Sequence, residues 1–194
     1  MVATPSTMLA LGTPIPDFAL PNAVDGTTVT PKDFEGKSAM LVMFICNHCP
    51  FVQHVKGELA RLGADYLPKG VGIVAVNSND LDGYPQDAPE HMKELAQAER
   101  WQFPFAMDET QDVAKAFKAA CTPDFFLFDE DRRLVYRGQL DGSRPGNDIP
   151  VTGRDLRAAL DAVLAGGPVS SEQQPSLGCN IKWRAGNEPE YFKP

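Results

Sequence analysis

The stretch Ala39-Met40-Leu41-Val42-Met43-Phe44-Ile45-Cys46-Asn47-His48-Cys49-Pro50 decides the fold. Its first seven residues form an unbroken apolar run of strand length, the pattern of a strand covered on both faces. Behind it lie two cysteines with two residues between them, then a proline. Phe51, Val52, Val55, Leu59, Leu62 and Tyr66 follow at three- and four-residue steps, the spacing of an amphipathic helix. The cysteines therefore fall at a strand-to-helix junction. Two intervening residues let the sulfurs meet across one turn, and the helix N-terminus offers unpaired N–H groups and a positive dipole end to a thiolate. The thiolate is the reactive form of cysteine, so this arrangement points to thiol–disulfide exchange. Pro50 suits the first helical turn, where a missing N–H costs nothing. His48, if protonated, would favour a thiolate at Cys46.

Working outward, Asp17-Phe18-Ala19-Leu20 and Thr27-Thr28-Val29-Thr30 flank Asp25-Gly26, a hairpin signal. Val71-Gly72-Ile73-Val74-Ala75-Val76 predicts a second buried strand, followed by the polar loop Asn77-Ser78-Asn79-Asp80. Helices are expected over residues 89–101 and 111–120. Phe125-Phe126-Leu127-Phe128 and Leu134-Val135-Tyr136-Arg137 predict a hairpin across Asp129-Glu130-Asp131. Thr152 is the expected N-cap of a last helix, in which Leu156, Leu160, Val163 and Leu164 recur at helical spacing. Strands and helices alternate through the middle and a hairpin closes the pattern. That predicts an α/β fold with a mixed central sheet and helices on both faces. Residues 1–12 are expected to be a loose arm, 13–167 the domain, and 168–194 a C-terminal extension. The extension carries Leu177, Cys179, Ile181, Trp183 and Tyr191-Phe192, side chains that want burial, so it should pack back on the domain.

The chain has 194 residues, enough for one substantial core. Its formal net charge of −8 opposes phosphate backbones, so nucleic acid is not an expected partner. No stretch approaches the roughly 20 apolar residues of a membrane span, and the first residues lack a basic, apolar leader pattern. A cytoplasmic protein without membrane association is the expectation. In a reducing cytosol four cysteines are better suited to redox or buried roles than to a disulfide framework. A zinc site built on Cys46, Cys49 and His48 or His54 lacks a second cysteine pair or a spaced histidine pair to complete it. No cofactor or metal is expected. His54 and His91 read as ordinary helix-surface residues.

The layout resembles the thioredoxin superfamily, in particular a peroxiredoxin-like (AhpC/TSA-type) group with a CxxC motif. Gly12-Thr13-Pro14-Ile15-Pro16-Asp17-Phe18-Ala19-Leu20 is similar to the opening of peroxiredoxins and of cytochrome-maturation thioredoxins. So is Phe103-Pro104-Phe105-Ala106-Met107-Asp108 leading into Asp112-Val113-Ala114-Lys115-Ala116-Phe117. Cys49-Pro50 resembles the peroxidatic cysteine and its proline, and Gly178-Cys179-Asn180-Ile181-Lys182-Trp183 adds to the likeness. The resemblance implies a thioredoxin-like fold with an N-terminal β-hairpin, and Pro123 as a cis-proline beside the dithiol. It implies catalytic roles for Cys46, Cys49, His48 and Pro123, with Thr122, Cys121 and Cys179 as accessory candidates. Peroxiredoxins carry Thr or Ser where this chain has Cys46, and no arginine of this chain matches the one that holds their peroxide. Thiol–disulfide oxidoreductase is therefore the first reading. Thiol peroxidase, with Cys49 as attacker and Cys46 or Cys179 resolving, is the second. A redox-sensing or partner-binding module is the third. The implied partners are disulfide-containing proteins or small thiols, peroxide in the second reading, and a reducing thioredoxin or glutathione system. The sequence does not settle which of Cys46 and Cys49 attacks, though the missing hydroxyl and arginine favour Cys46. Cys121 and Cys179 each also suit plain packing.

Overall fold

The structure is a computed structural model that describes residues 3–192. In chain order its elements are β1 (Ala3–Pro5), β2 (Leu20–Pro21), β3 (Thr28–Val29), β4 (Ala39–Phe44), α1 (Pro50–Tyr66), β5 (Val71–Asn77) and α2 (Pro89–Ala98). There follow β6 (Phe105–Met107), α3 (Asp112–Phe117), β7 (Cys121–Thr122), β8 (Asp124–Phe128), β9 (Leu134–Gly138), α4 (Arg154–Leu164) and β10 (Leu177–Asn180). The central sheet has the order β6-β5-β4-β8-β9. β4, β5 and β6 are parallel, while β8 and β9 run antiparallel to their neighbours. The mixed sheet expected from the alternating pattern is what forms.

Every residue of β4 and of β5 is buried, as continuous apolar runs require when both faces are covered. Alternate side chains feed two cores. On one face Leu41, Met43, Ile73 and Phe125 pack with the apolar stripes of α1, α2 and α4. On the other, Met40, Val42, Phe44, Val74 and Phe126 pack with Val113 and Phe117 of α3 and with the segments around β2 and β3. α1 owes its place to its stripe: Val52, Val55, Leu59 and Leu62 are buried, while Gln53 and Arg61 on the opposite side are exposed. Truncating a fully buried Leu59 to Ala should cost about 2–5 kcal/mol. The helix gives way to a 3-10 turn at Leu67–Lys69 that ends on Gly70, whose φ of 85° is left-handed and open to glycine.

Several local expectations shift. The 111–120 helix is confined to Asp112–Phe117, because Lys118 turns left-handed at φ 51°. The 89–101 helix ends at Ala98, with Arg100 left-handed and Trp101 turned into the core. Gly153, not Thr152, is the N-cap residue of α4, and Asp141 takes the N–H groups of both. The hairpin of β2 and β3 forms with Leu20 opposite Val29, but its strands are two residues each.

The N-terminal arm is the larger correction. Ala3–Pro5 is not loose: it pairs antiparallel with β10, Ala3 opposite Cys179. β10 pairs in turn with β7, so the two ends of the chain build a three-stranded sheet, β1-β10-β7, over one end of the domain. The extension does pack back. Ile181 and Trp183 join the α3-side core, each burial worth about 1.5–3 kcal/mol. Met1, Val2, Lys193 and Pro194 lie outside the described residues. No described helix is long and apolar enough to cross a membrane.

Candidate active site

Parallel pairing of β4 with β5 brings the loops after both strands to the same edge of the sheet. The first loop carries Asn47-His48-Cys49, the second Asn77 to Ala88. Cys49 is the N-cap residue of α1 and Pro50 occupies its first turn. Both Cys46 and Cys49 are fully buried. The third contributor is β7, which ends at a cis Thr122-Pro123 peptide bond. Pro123 is thus cis beside the dithiol, as the resemblance implied.

Thr122 joins the cysteines. Its hydroxyl lies 3.5 Å from Cys46 Sγ, and its carbonyl accepts from the Cys49 thiol at 3.1 Å. Its strand partner across the β7–β10 ladder is Cys179. Cys179 is buried and its sulfur is in hydrogen-bond contact with Cys49. Three of the four cysteines therefore converge on one residue. Cys121 does not join them by a hydrogen bond: its thiol donates towards the Pro123 carbonyl at 3.6 Å. Burial raises Cys121 well above the thiol range, and the nearby Asp124 carboxyl adds to it.

The two cysteines of the pair are driven apart electrostatically. Donation from the Cys179 thiol, then from the Cys46 thiol, holds Cys49 well below the ordinary thiol range against its burial. The Thr122 hydroxyl adds to this, and the Val52 N–H pulls the same way without closing a cap hydrogen bond. The Thr122 carbonyl favours the protonated sulfur, but one acceptor faces several donors. Cys46 goes the other way. Burial pushes its thiol up, its role as donor to Cys49 adds to that, and the charge of Asp87 adds further.

Asp87 is a site residue that motif reading missed. Its carboxylate is fully buried and takes four hydrogen bonds. Oδ1 accepts the backbone N–H groups of Asn47 at 2.9 Å and His48 at 3.1 Å. Oδ2 faces His48 Nδ1 at 2.6 Å and accepts from Asn79 Nδ2 at 2.8 Å. Burial pushes this carboxyl up, but the bonds from His48 and Asn79 outweigh it and leave it below its usual range. His48 is therefore committed to Asp87, and its ring stacks on Tyr84 at 5.3 Å between centroids. It does not stand as a lone cation beside Cys46, because the carboxylate it pairs with lies there too. The one signal for Asp87's neighbourhood was the polar loop Asn77–Asp80 after a buried strand adjacent to β4.

The ligand atoms of Cys46, His48 and Asp87 lie within 4.8 Å of one another, a spacing a metal ion could use. Asp87 already has four donors on its two oxygens, and its donors include His48, so the cluster is satisfied as a hydrogen-bond network. His54 pairs with Ser143 at 2.7 Å, and His91 with Glu94 at 3.2 Å on the surface. Arg137 is spent on the Leu9 carbonyl and Gln173, not on a cysteine.

Comparison with solved structures places the fold among known proteins. An uncharacterized conserved protein from Geobacillus kaustophilus is 58% identical, with a TM-score of 0.93 over 95% of this chain and 97% of that one. A hypothetical protein from Sinorhizobium meliloti 1021 is 50% identical, with a TM-score of 0.92 over 94% of this chain and 100% of that one. The thioredoxin domain of a thiol-disulfide oxidoreductase from Bacteroides vulgatus shares the fold at 21% identity, with a TM-score of 0.57 over 70% of this chain and 90% of that one. The fold is thus thioredoxin-like. A search of curated proteins returned no match. The Redoxin family model matches residues 10–156, well over half of the chain, and the chain belongs to the Redoxin family.

Proposed function

We propose that this protein is a thiol–disulfide oxidoreductase whose working pair is Cys46 and Cys49. The observation that carries the reading is the pair of buried sulfurs at the start of α1, both held against Thr122 at the cis Thr122-Pro123 bond, in surroundings that favour thiolate on one and thiol on the other. That division of protons is what exchange needs: a nucleophile ready, and a second thiol to finish the reaction. The geometry favours Cys49 as the sulfur that carries the charge. In the reductive direction its thiolate attacks one sulfur of a substrate disulfide, forming a mixed disulfide and expelling a thiolate. Cys46 then attacks Cys49 Sγ. Its proton goes to the leaving substrate sulfur, and the Cys46–Cys49 disulfide remains. Two electrons have passed to the substrate, to be restored by a reducing thiol system.

Both sulfurs are buried, so the substrate needs the cover over them to part. Insulin reduction and redox titration against glutathione test the reading. An intramolecular Cys46–Cys49 disulfide with a defined potential is expected. Its failure to form under mild oxidation would overturn the proposal.

One observation favours a thiol peroxidase as the second reading: the donors around the pair favour the thiolate on Cys49, the cysteine followed by proline. Against it, Arg137 is engaged elsewhere, and the hydroxyl near the pair comes from Thr122 and sits by Cys46. Peroxide consumption in stopped flow separates the two. A rate no greater than that of free cysteine leaves exchange alone.

A further inference from the structure

Cys49 Sγ lies between two thiols. Cys46 comes from its own loop and Cys179 from β10, both act on the Cys49 sulfur, and all three cysteines meet at Thr122. The second contact is not the chance resting place of a flexible tail. Cys179 is set opposite Thr122 by the β10–β7 register, and Thr122 is the residue whose carbonyl touches Cys49. Gly178 tightens the fit: a Cβ there would fall 2.0 Å from the Thr122 carbonyl oxygen, so only glycine permits this approach. β1 covers the far edge of β10, Ala3 opposite Cys179. Ile181 and Trp183 anchor the next residues in the core. Backbone pairing on both sides and apolar anchoring beyond hold this sulfur beside Cys49.

We propose that Cys179 is a third redox cysteine, which takes Cys49 over from Cys46 in a disulfide relay. This rests on the exchange reading above. Once the Cys46–Cys49 disulfide has formed, the Cys179 thiolate attacks Cys49 Sγ. The Cys49–Cys179 bond forms, the Cys46–Cys49 bond breaks, and Cys46 leaves as a thiolate that takes up the proton Cys179 gave up. One disulfide replaces another, so no outside oxidant or reductant is consumed. The result frees Cys46 and bolts the C-terminal extension to the start of α1.

The sequence makes the test simple. After trypsin, Cys46 and Cys49 share the peptide 38–56, Cys121 lies in 119–132 and Cys179 in 158–182. Full-length wild type, Cys46→Ser and Cys179→Ser are treated with diamide, quenched in acid, alkylated in denaturant and digested. In Cys46→Ser the three remaining thiols should fall to one, with 38–56 joined to 158–182. Cys179→Ser should show only the internal disulfide of 38–56. Wild type should show that disulfide first and the cross-link growing at its expense. Wild type that forms the internal disulfide, with Cys46→Ser giving no cross-link or one to 119–132, overturns the relay and spares the exchange reading. Wild type without the internal disulfide overturns the exchange reading itself. Thermal unfolding shows whether each variant is folded, and Cys46→Ala replaces Cys46→Ser if the latter is not.

Discussion

Asp87 lies against the dithiol loop and Asp124 directly follows the cis-proline; both are buried, and they behave oppositely. Asp87, on the β5 side, has four donors on its two oxygens and is held below the usual carboxylate range. Asp124, directly after the cis-proline, is fully buried; its Oδ2 accepts the Ala120 N–H, while Oδ1 has no hydrogen-bond partner among the described residues. Burial outweighs the backbone bonds it receives and pushes it up to about 8. At neutral pH the Cys46 flank therefore holds a fixed negative charge, and the cis-proline flank holds a neutral acid. Burial alone does not determine charge; the number of donors does. The consequence for the pair is direct. The thiolate is costly on Cys46, next to Asp87, and is favoured on Cys49, next to Thr122 and Cys179.

The largest effect should come from removing the sulfurs themselves. Cys49→Ser should abolish insulin reduction and the ultraviolet thiolate absorbance together. Cys46→Ser should abolish turnover but keep that absorbance. If the absorbance instead vanishes with Cys46, the charge lies on the opposite side of the comparison.

Next in size is the pH dependence set by Asp124. Its folded pKa lies above the unfolded value near 4, so the folded state binds the extra proton between the two. Stability is then fully present below about pH 4 and is lost as pH rises towards about 8, by up to about 1.4 kcal/mol per unit. Asp124→Asn, which cannot ionise, should flatten that slope in urea unfolding measured from pH 5 to pH 8. Asp87 has the opposite sign: its contribution is present above the unfolded value near 4 and is lost as pH falls through its lowered folded value. An unchanged slope in Asp124→Asn would show that Asp124 is already charged in the fold.

The two flanks also differ in how legible they were. Thr122-Pro123 was legible only through the family resemblance, whereas Cys46, Cys49 and Pro50 are readable because they belong to a short pattern tied to a strand end and a helix start. The main strands and α1 are readable for the same reason, since apolar periodicity is local. Asp87 sits in a loop with no periodicity, 39 residues from His48 in the chain, and only the parallel pairing of β4 and β5 delivers it. β10 is harder still. Leu177-Gly178-Cys179-Asn180 has neither the length nor the alternation of a strand, and both partners, β1 and β7, are as short. Its register is set by what surrounds it: Ser176 bonded to Ser6, Ile181 to Ala120, and Lys182 to Asn79. Long-range pairing of short segments leaves no local mark. The same fact explains why residues 1–12 looked like a loose arm.

Gly178→Ala probes the cis-proline flank without touching a sulfur. The added Cβ would meet the Thr122 carbonyl carbon at 2.6 Å as well as its oxygen, and backbone cannot step aside as a side-chain tip can. β10 must lift or β7 must move, at about 1–3 kcal/mol. Urea unfolding should show that loss. Maleimide should label Cys49 and Cys179 in native buffer faster than in wild type. Stability and labelling both unchanged would mean that the extension does not hold the site closed.

The smallest change is Asp87→Asn, which alters the other flank by one charge. An amide keeps one acceptor, so it cannot serve the Asn47 and His48 N–H groups on one oxygen while also receiving His48 Nδ1 and Asn79 on the other. A stability loss of about 1–2 kcal/mol is expected. The informative readout is the pH profile of exchange. Cys46 must give up its proton to resolve the mixed disulfide, and the Asp87 charge opposes that. Without the charge, Cys46 ionises at lower pH, so the rise of rate with pH should move to lower pH while the Cys49 thiolate signal stays in place. A merely structural role would lower the rate at every pH and leave the profile where it was. If both sulfurs shift together, the flanks are not separate and the pair titrates as one unit.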